Sequence, residues 1–258
     1  MKHLEIELKT LLKKDEYNRL KDQFTDVTPV LQKNYYIDTP DFELREKKVA
    51  MRIRTFEDWA ELTLKVPQSV GNMEYNQKLQ LKDAENYLAK EELPQGLVLD
   101  ELAKHGIQTN KWQVLGCLIT LRYEMKTAIG LMALDESQYF DMTDYELELE
   151  VENHEQGKHD FQQFLEKNQI AKEFVKFNER CFIGLLGDMR SYNYVVIPIH
   201  DFDQVIYRIR PIDFDQQCYE GNLKIYRPQY FKENKIMVDL VNNRLKPNSV
   251  DQYRKEVK

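Results

Sequence analysis

The sequence predicts an α+β protein: a closed antiparallel eight-stranded β-barrel with flanking helices over residues 1–186, then a β-rich C-terminal extension of unknown role over 187–258. Three observations predict it. Several segments alternate polar and aliphatic residues with the two-residue period of a strand, and their polar rows are ionised. Between them lie segments with apolar residues at helical spacing, enough to cover an outward apolar face. Past Gly187 the texture changes to Tyr, Ile and Val broken by Pro- and Asp-containing turns.

The first strand is HLEIELK at residues 3–9, with Glu5, Glu7 and Lys9 on one face. LLKKDEYNRLKDQF follows as a short helix, with Tyr17, Leu20 and Phe24 on one side. A strand through Tyr35 and Tyr36 stops at the turn residues DTPD. KKVAMRIRT places Arg52 and Arg54 opposite Met51 and Ile53, and AELTLKV places Glu61, Thr63 and Lys65 opposite Leu62 and Leu64. MEYNQKLQL is a further strand, and PQGLVLDELAKHGI a helix stopped by Gly106. Two strands follow in KWQVLGCLITLRYEMKT and AIGLMALDESQYF, then DYELELEVE at 144–152. HDFQQFLEKNQ and EFVKFNERCFIGLL predict two helices. The extension predicts several short strands, then a helix and a loose polar end.

Composition narrows the function classes. The 258 residues carry a net charge of −7, which argues against a duplex nucleic-acid partner but not against a small anion in a locally basic cleft. No run approaches the ~18 apolar residues that span a bilayer, so no membrane partner is expected. Cys117, Cys181 and Cys218 have no paired spacing, so neither a disulfide framework nor a zinc site is indicated, and a reducing cytoplasm fits. GxxxxGK[ST], GxSxG and HExxH are all missing, which removes the P-loop, nucleophile-elbow and zincin routes.

The charged rows carry the functional argument. In DYELELEVE, Asp144, Glu146, Glu148, Glu150 and Glu152 share one parity and Tyr145, Leu147, Leu149 and Val151 the other. A water-facing strand tolerates such a row at a few tenths of a kcal/mol per neighbouring pair, so this strand alone is compatible with a solvated face. The same pattern recurs in the Glu5/Glu7/Lys9, Arg52/Arg54 and Glu61/Thr63/Lys65 sets. If about eight strands close into a barrel with these faces inward, carboxylates and cations share the lumen. Buried charge needs partners. Lys9, Arg52, Arg54 and Lys65 would hold the oxygens of a polyanion, and the clustered glutamates would hold a hard divalent ion such as Mg²⁺ or Mn²⁺.

These residues resemble the CYTH superfamily, the triphosphate tunnel metalloenzymes, and within it the small YjbK-like bacterial group. Glu5, Glu7 and Lys9 match its ExExK signature. Arg52 and Arg54, Thr63 to Lys65, Arg122 in TLRYE, Asp135 in LDESQY and the run Glu146, Glu148, Glu150 follow in the family's order. The resemblance covers residues 1–186 and implies an eight-stranded tunnel that holds a triphosphate or polyphosphate with a divalent metal. By motif, Lys9, Arg52, Arg54, Lys65 and Arg122 would grip phosphate, with Lys176 in VKFNERC closing the tunnel. Glu5, Glu7, Glu148 and Glu150 would bind metal, with Glu146 and Glu148 as the other pairing of the acidic run. Lys9, Glu148 and Glu150 would carry catalysis, as a metal-dependent triphosphatase that hydrolyses inorganic or organic triphosphate. Two alternatives stand beside it: a non-catalytic module that binds polyphosphate, and a class IV-type adenylate cyclase. A homodimer is compatible with all three.

Overall fold

We describe a computed structural model over residues 1–107, 111–201, 204–212 and 223–257. The chain divides into two compact units, Met1–His159 and Asp160–Lys258. Among the described residues no helix is long and apolar enough to cross a membrane.

The first unit is one nine-segment antiparallel sheet, in the order β1-β6-β5-β4-β3-β7-β8-β9-β2. The strands are β1 (Lys2–Glu5), β2 (Glu7–Leu12), β3 (Val30–Asp38), β4 (Ala50–Thr55), β5 (Trp59–Pro67), β6 (Asn72–Gln80), β7 (Gln113–Thr127), β8 (Gly130–Tyr139) and β9 (Met142–Glu150). The two edge segments, β1 and β2, are halves of one N-terminal stretch interrupted only at Ile6. One half pairs with β6 and the other with β9, so the sheet curls until a single bent strand joins its edges. Counted by chain, eight strands make the nearly closed barrel. At the bend the Ile6 carbonyl accepts the Val151 N–H at 2.9 Å, which satisfies the group that leaves the ladder. Gly71, with φ of +72°, lies against the same point: a Cβ there would stand 2.2 Å from the Glu5 carbonyl oxygen, so only glycine allows the approach.

Helices cover the outward apolar faces. α1 (Lys14–Lys21) lies over β8 and β9, with Tyr17 4.6 Å from the Tyr145 ring, and Phe24 just beyond it meets Tyr123 edge-on at 6.5 Å. α3 (Leu81–Lys90) and α4 (Leu97–Lys104) cover β4, β5 and β6; Ala84, Val98 and Leu102 share one core with Met51, Ile53, Leu62 and Leu64. Each of these side chains but Ala84 contributes roughly 1.5–3 kcal/mol on burial. This fixes the register, since a slip of one residue would turn the charged row toward this core. A short helix, α2 (Glu43–Glu46), follows the DTPD turn, where the Asp38 carboxylate accepts the N–H groups of Thr39, Leu44 and Arg45 at 2.7, 3.0 and 3.2 Å.

α5 (His154–Ile183) is one 30-residue helix where the sequence predicts two; no proline or mid-helix glycine interrupts it. Its C-terminal half belongs to the second unit, where Phe174, Phe177 and Cys181 share a core with Met189, Tyr194 and Ile209. The several strands expected after Gly187 reduce, among the described residues, to one hairpin, β10 (Tyr194–Asp201) and β11 (Gln204–Pro211). Three 3-10 turns and two helices follow, α6 (Lys235–Arg244) and α7 (Pro247–Lys255). The C-terminal stretch read as a loose polar end is α7, which buries Tyr253 against Ala171 and Val175. Cys117 and Cys181 are free thiols, and Cys218 lies outside the described residues.

Candidate functional site

The inward faces of the first unit line a cavity of about 370 Å³. His3, Glu5, Glu7 and Lys9 line it from the bent N-terminal strand, Arg52 and Arg54 from β4, Thr63 and Lys65 from β5, and Glu74 from β6. Arg122 and Glu124 enter from β7, Asp135 from β8, and Glu146, Glu148 and Glu150 from β9. The ionised rows of β1, β2 and β4 therefore converge on one lumen with Glu146, Glu148 and Glu150 of β9, while Asp144 and Glu152, at the ends of the acidic row, are not among its lining residues. In all, five cationic side chains and eight carboxylates line it.

The ion pairs inside it are shared rather than one-to-one. Lys65 contacts Glu5 and stands 2.8 Å from Glu74. Glu5 is held above its ordinary range, chiefly by burial and then by its neighbours Glu7 and Glu74, although Lys65 pulls it down. For Glu74 burial also pushes upward, but the charge and hydrogen bond of Lys65, the Asn76 amide at 3.1 Å and Arg52 outweigh it and hold the group low. Of the two carboxylates on Lys65, Glu5 thus takes a proton first. Burial disfavours the Lys65 ammonium, yet Glu7, Glu5 and Glu74 raise it above the usual lysine value. Lys9 lies 3.5 Å from Glu7 and 4.0 Å from Glu146 and is raised in the same way.

Arg122 is the most committed cation. Its Nε donates to one Asp135 oxygen at 2.8 Å, and one Nη to the other at 2.6 Å and to Glu148 at 2.5 Å. A bidentate fork of this kind fixes the guanidinium plane. Even so, burial raises Asp135 above its ordinary range against the pull of Arg122. Arg54 donates to the Asn34 amide oxygen at 3.0 Å. Arg52 forms no ion pair among the described residues, and its Nε is buried without a hydrogen-bond partner. Lys176 sits in the second unit, 2.6 Å from Glu256 and over the Tyr253 ring.

The donor set fits a hard divalent ion in its chemistry. Glu7 faces Glu150 directly across β2 and β9, and Asp135 faces Glu146 across β8 and β9. Like charges opposite one another in a sheet repel, and a cation between their oxygens relieves this. Among the described residues no three carboxylates stand together as a preformed metal site. Lysines and Arg122 hold several of them apart, so the ligands would assemble by exchanging those partners.

Sequence reasoning missed Glu74 as a lining residue, along with Asn34, Gln32 and Tyr36. The signal was present, because Glu74, Asn76 and Lys78 alternate in MEYNQKLQL as the other charged rows do. Asp135, read only as a motif match, proves to be the partner that orients Arg122.

A nearly closed antiparallel barrel with an ionic lumen and an apolar, helix-covered outside defines a β-tunnel protein. The chain belongs to the CYTH domain family, whose pattern matches residues 3–180. It is 38% identical over 176 residues to a Bacillus subtilis (strain 168) protein named "Putative triphosphatase YjbK", covering 67% of this chain and 90% of that one. A solved structure from Bacillus halodurans, described as "a putative adenylate cyclase", is similar with a TM-score of 0.60 and 36% identity, over 64% of this chain and 89% of the other. The Hippeastrum protein HpAC1, described as a "putative adenylyl cyclase" with a dominant triphosphatase activity, has a TM-score of 0.56 over 63% of this chain and 86% of the other. At 24% identity that likeness shows the fold alone.

Proposed function

We propose that the lumen of the first unit hydrolyses a small linear triphosphate, inorganic or organic, with Mg²⁺ or Mn²⁺. The observation that carries the reading is the meeting of five cations and eight carboxylates around one cavity of about 370 Å³. That size lies at the small end of the ~300–1,000 Å³ range of small-molecule sites, and the charge pattern suits a polyanion that arrives with divalent ions. The names of the relatives support the same chemistry, including the triphosphatase name of the 38%-identical Bacillus protein.

Phosphoryl transfer to water spreads charge over the phosphate oxygens, so catalysis consists mainly of positioning and charge stabilisation. Arg52 and Arg54, at successive inward positions about 6.5–7 Å apart on β4, grip the chain of phosphates. Lys9 and Lys65 exchange glutamate oxygens for phosphate oxygens, which frees Glu5 and Glu7. Arg122, oriented by its bidentate pair with Asp135, completes the cradle and exchanges Glu148 for phosphate oxygen. Glu146, Glu148, Glu150, Glu5 and Glu7 would hold the divalent ion, which supplies charge neutralisation and a more acidic water. Glu148 and Glu150 orient the attacking water by hydrogen bonding. Lys176, paired with Glu256 in the second unit, is assigned no step in this scheme.

The test is direct. Incubation with tripolyphosphate, thiamine triphosphate or ATP and either metal should release orthophosphate from at least one of them, and EDTA should stop it. Cyclic AMP and pyrophosphate from ATP would establish a cyclase instead. Tight tripolyphosphate binding with no product would establish a binding module.

A further inference from the structure

The second unit holds a cavity of about 320 Å³. Phe174 and Val175 of α5, Val238 and Val241 of α6 and Val250 of α7 form an apolar wall. The cavity is a cleft open to solvent, and water against its apolar wall is displaced favourably by an apolar guest. The polar groups lie at the rim or are already used. Asn178 donates to the Phe174 carbonyl at 2.8 Å and accepts the Gln229 N–H at 2.8 Å, so both polar atoms of its amide are engaged. Arg254 is held less firmly: its one ion pair among the described residues is a 3.4 Å contact with Asp251, itself 63% exposed. The Asn242 amide is exposed beside it on α6.

We propose that this cavity binds a small amphipathic monocarboxylate, its hydrocarbon body against Phe174, Val241 and Val250 and its carboxylate on the Arg254 guanidinium. A guanidinium presents a planar fork that matches a carboxylate. A single guanidinium, held only by a long contact to the exposed Asp251 that a ligand carboxylate can replace, suits one negative charge. The apolar wall and the size of the cleft suit an amphipathic ligand of about ten heavy atoms in all, which excludes inorganic anions. The inference concerns the second unit and stands independently of the reaction proposed for the lumen.

Isothermal titration of the full chain with octanoate and with its neutral counterpart octanamide tests it. Octanoate should bind saturably at one site, and octanamide at least about tenfold more weakly, the worth of one charge-assisted hydrogen bond. Arg254→Met should weaken octanoate by a similar factor and leave octanamide unchanged. Asn242→Trp, at an exposed rim position, should block both. Circular dichroism melting identifies any variant that fails to fold, and the octanoate-to-octanamide ratio in the unsubstituted protein tests the proposal without variants. Absent octanoate binding, equal binding of the two ligands, or octanoate binding unchanged in both folded variants would overturn it.

Discussion

Arg52 and Arg122 both line the lumen, but their surroundings assign them different work. Arg122 neutralises two carboxylates, Asp135 and Glu148, which are 7% and 14% exposed. Removing its charge leaves both without their cation, at a cost of ~3 kcal/mol, the low end for breaking a buried pair. Arg122→Met should therefore lower the melting temperature of the first unit by roughly 6–12 °C, whatever it does to turnover. Arg52 forms no ion pair among the described residues and its Nε is buried without a partner; it acts on Glu61, Glu74 and Asp135 only at longer range, so the folded state gains less from it than from Arg122. Arg52→Met should shift melting by less than about 1 kcal/mol yet raise the Kd for tripolyphosphate at least about tenfold, the worth of a charge-assisted contact. Calorimetric melting and binding titration on the two variants separate the roles. If Arg52→Met melts as low as Arg122→Met, the distinction drawn from their partners fails.

The element that makes the lumen is the bend at Ile6, because it lets one strand close both edges of the sheet and bring Glu5 and Glu7 to neighbouring places in the lining. Gly71 packs against the carbonyl of Glu5 with a positive φ that disfavours any other residue. Gly71→Ala should cost more than about 1 kcal/mol and, by displacing Glu5, weaken metal-dependent turnover as well. Gly116→Ala on β7 is the matched control, since an added Cβ there meets nothing within 4 Å and φ is ordinary. Equal melting of the two variants would remove the closing role of Gly71. The bend also marks the limit of what alternation reveals. HLEIELK carries no glycine or proline, so periodicity reads it as one straight strand, and the partners that split it, β6 and β9, lie far along the chain. The charged rows, the barrel and the covering helices α1 and α4 are legible, since each is a local pattern. LKDAENYLAK, which forms α3, is not, because the preceding strand β6 runs directly into it at Leu81. Glu74 went unassigned because the polar row of β6 mixes acid, amide and base, which blurs the charge signal without changing the face.

At the scale of the whole first unit, the lumen is anionic before any ligand enters, with eight carboxylates against five cations. Burial, ahead of every other cause, holds Glu5, Glu61, Asp135 and Glu146 above their ordinary range. For these groups the native state keeps protons that the unfolded chain has released, so stability falls as pH climbs from the ordinary carboxylate value through the raised ones. Glu74 runs the other way: its contribution is present above the ordinary value and is lost as pH falls through its lowered one. Glu101 on α4, held low chiefly by its hydrogen bond from Lys104, acts in the same direction as Glu74, and four raised groups against two lowered ones predict that the metal-free unit melts highest in mild acid and less high as pH approaches 8. Trp59 and Trp112 both lie in this unit, so tryptophan fluorescence follows its melting without interference from the second. Mg²⁺ or Mn²⁺ with tripolyphosphate should restore the loss at pH 7.5, by ~2.7 kcal/mol at a hundred times Kd, and EDTA should reverse it. Near pH 5 the same additions should gain less, because protons and metal compete for the same oxygens. A melting temperature that stays level from pH 5 to 8 and ignores metal would mean that the facing carboxylates, Glu7 with Glu150 and Asp135 with Glu146, are too well screened to demand a cation, and the metal-dependent reading of the lumen would go with it.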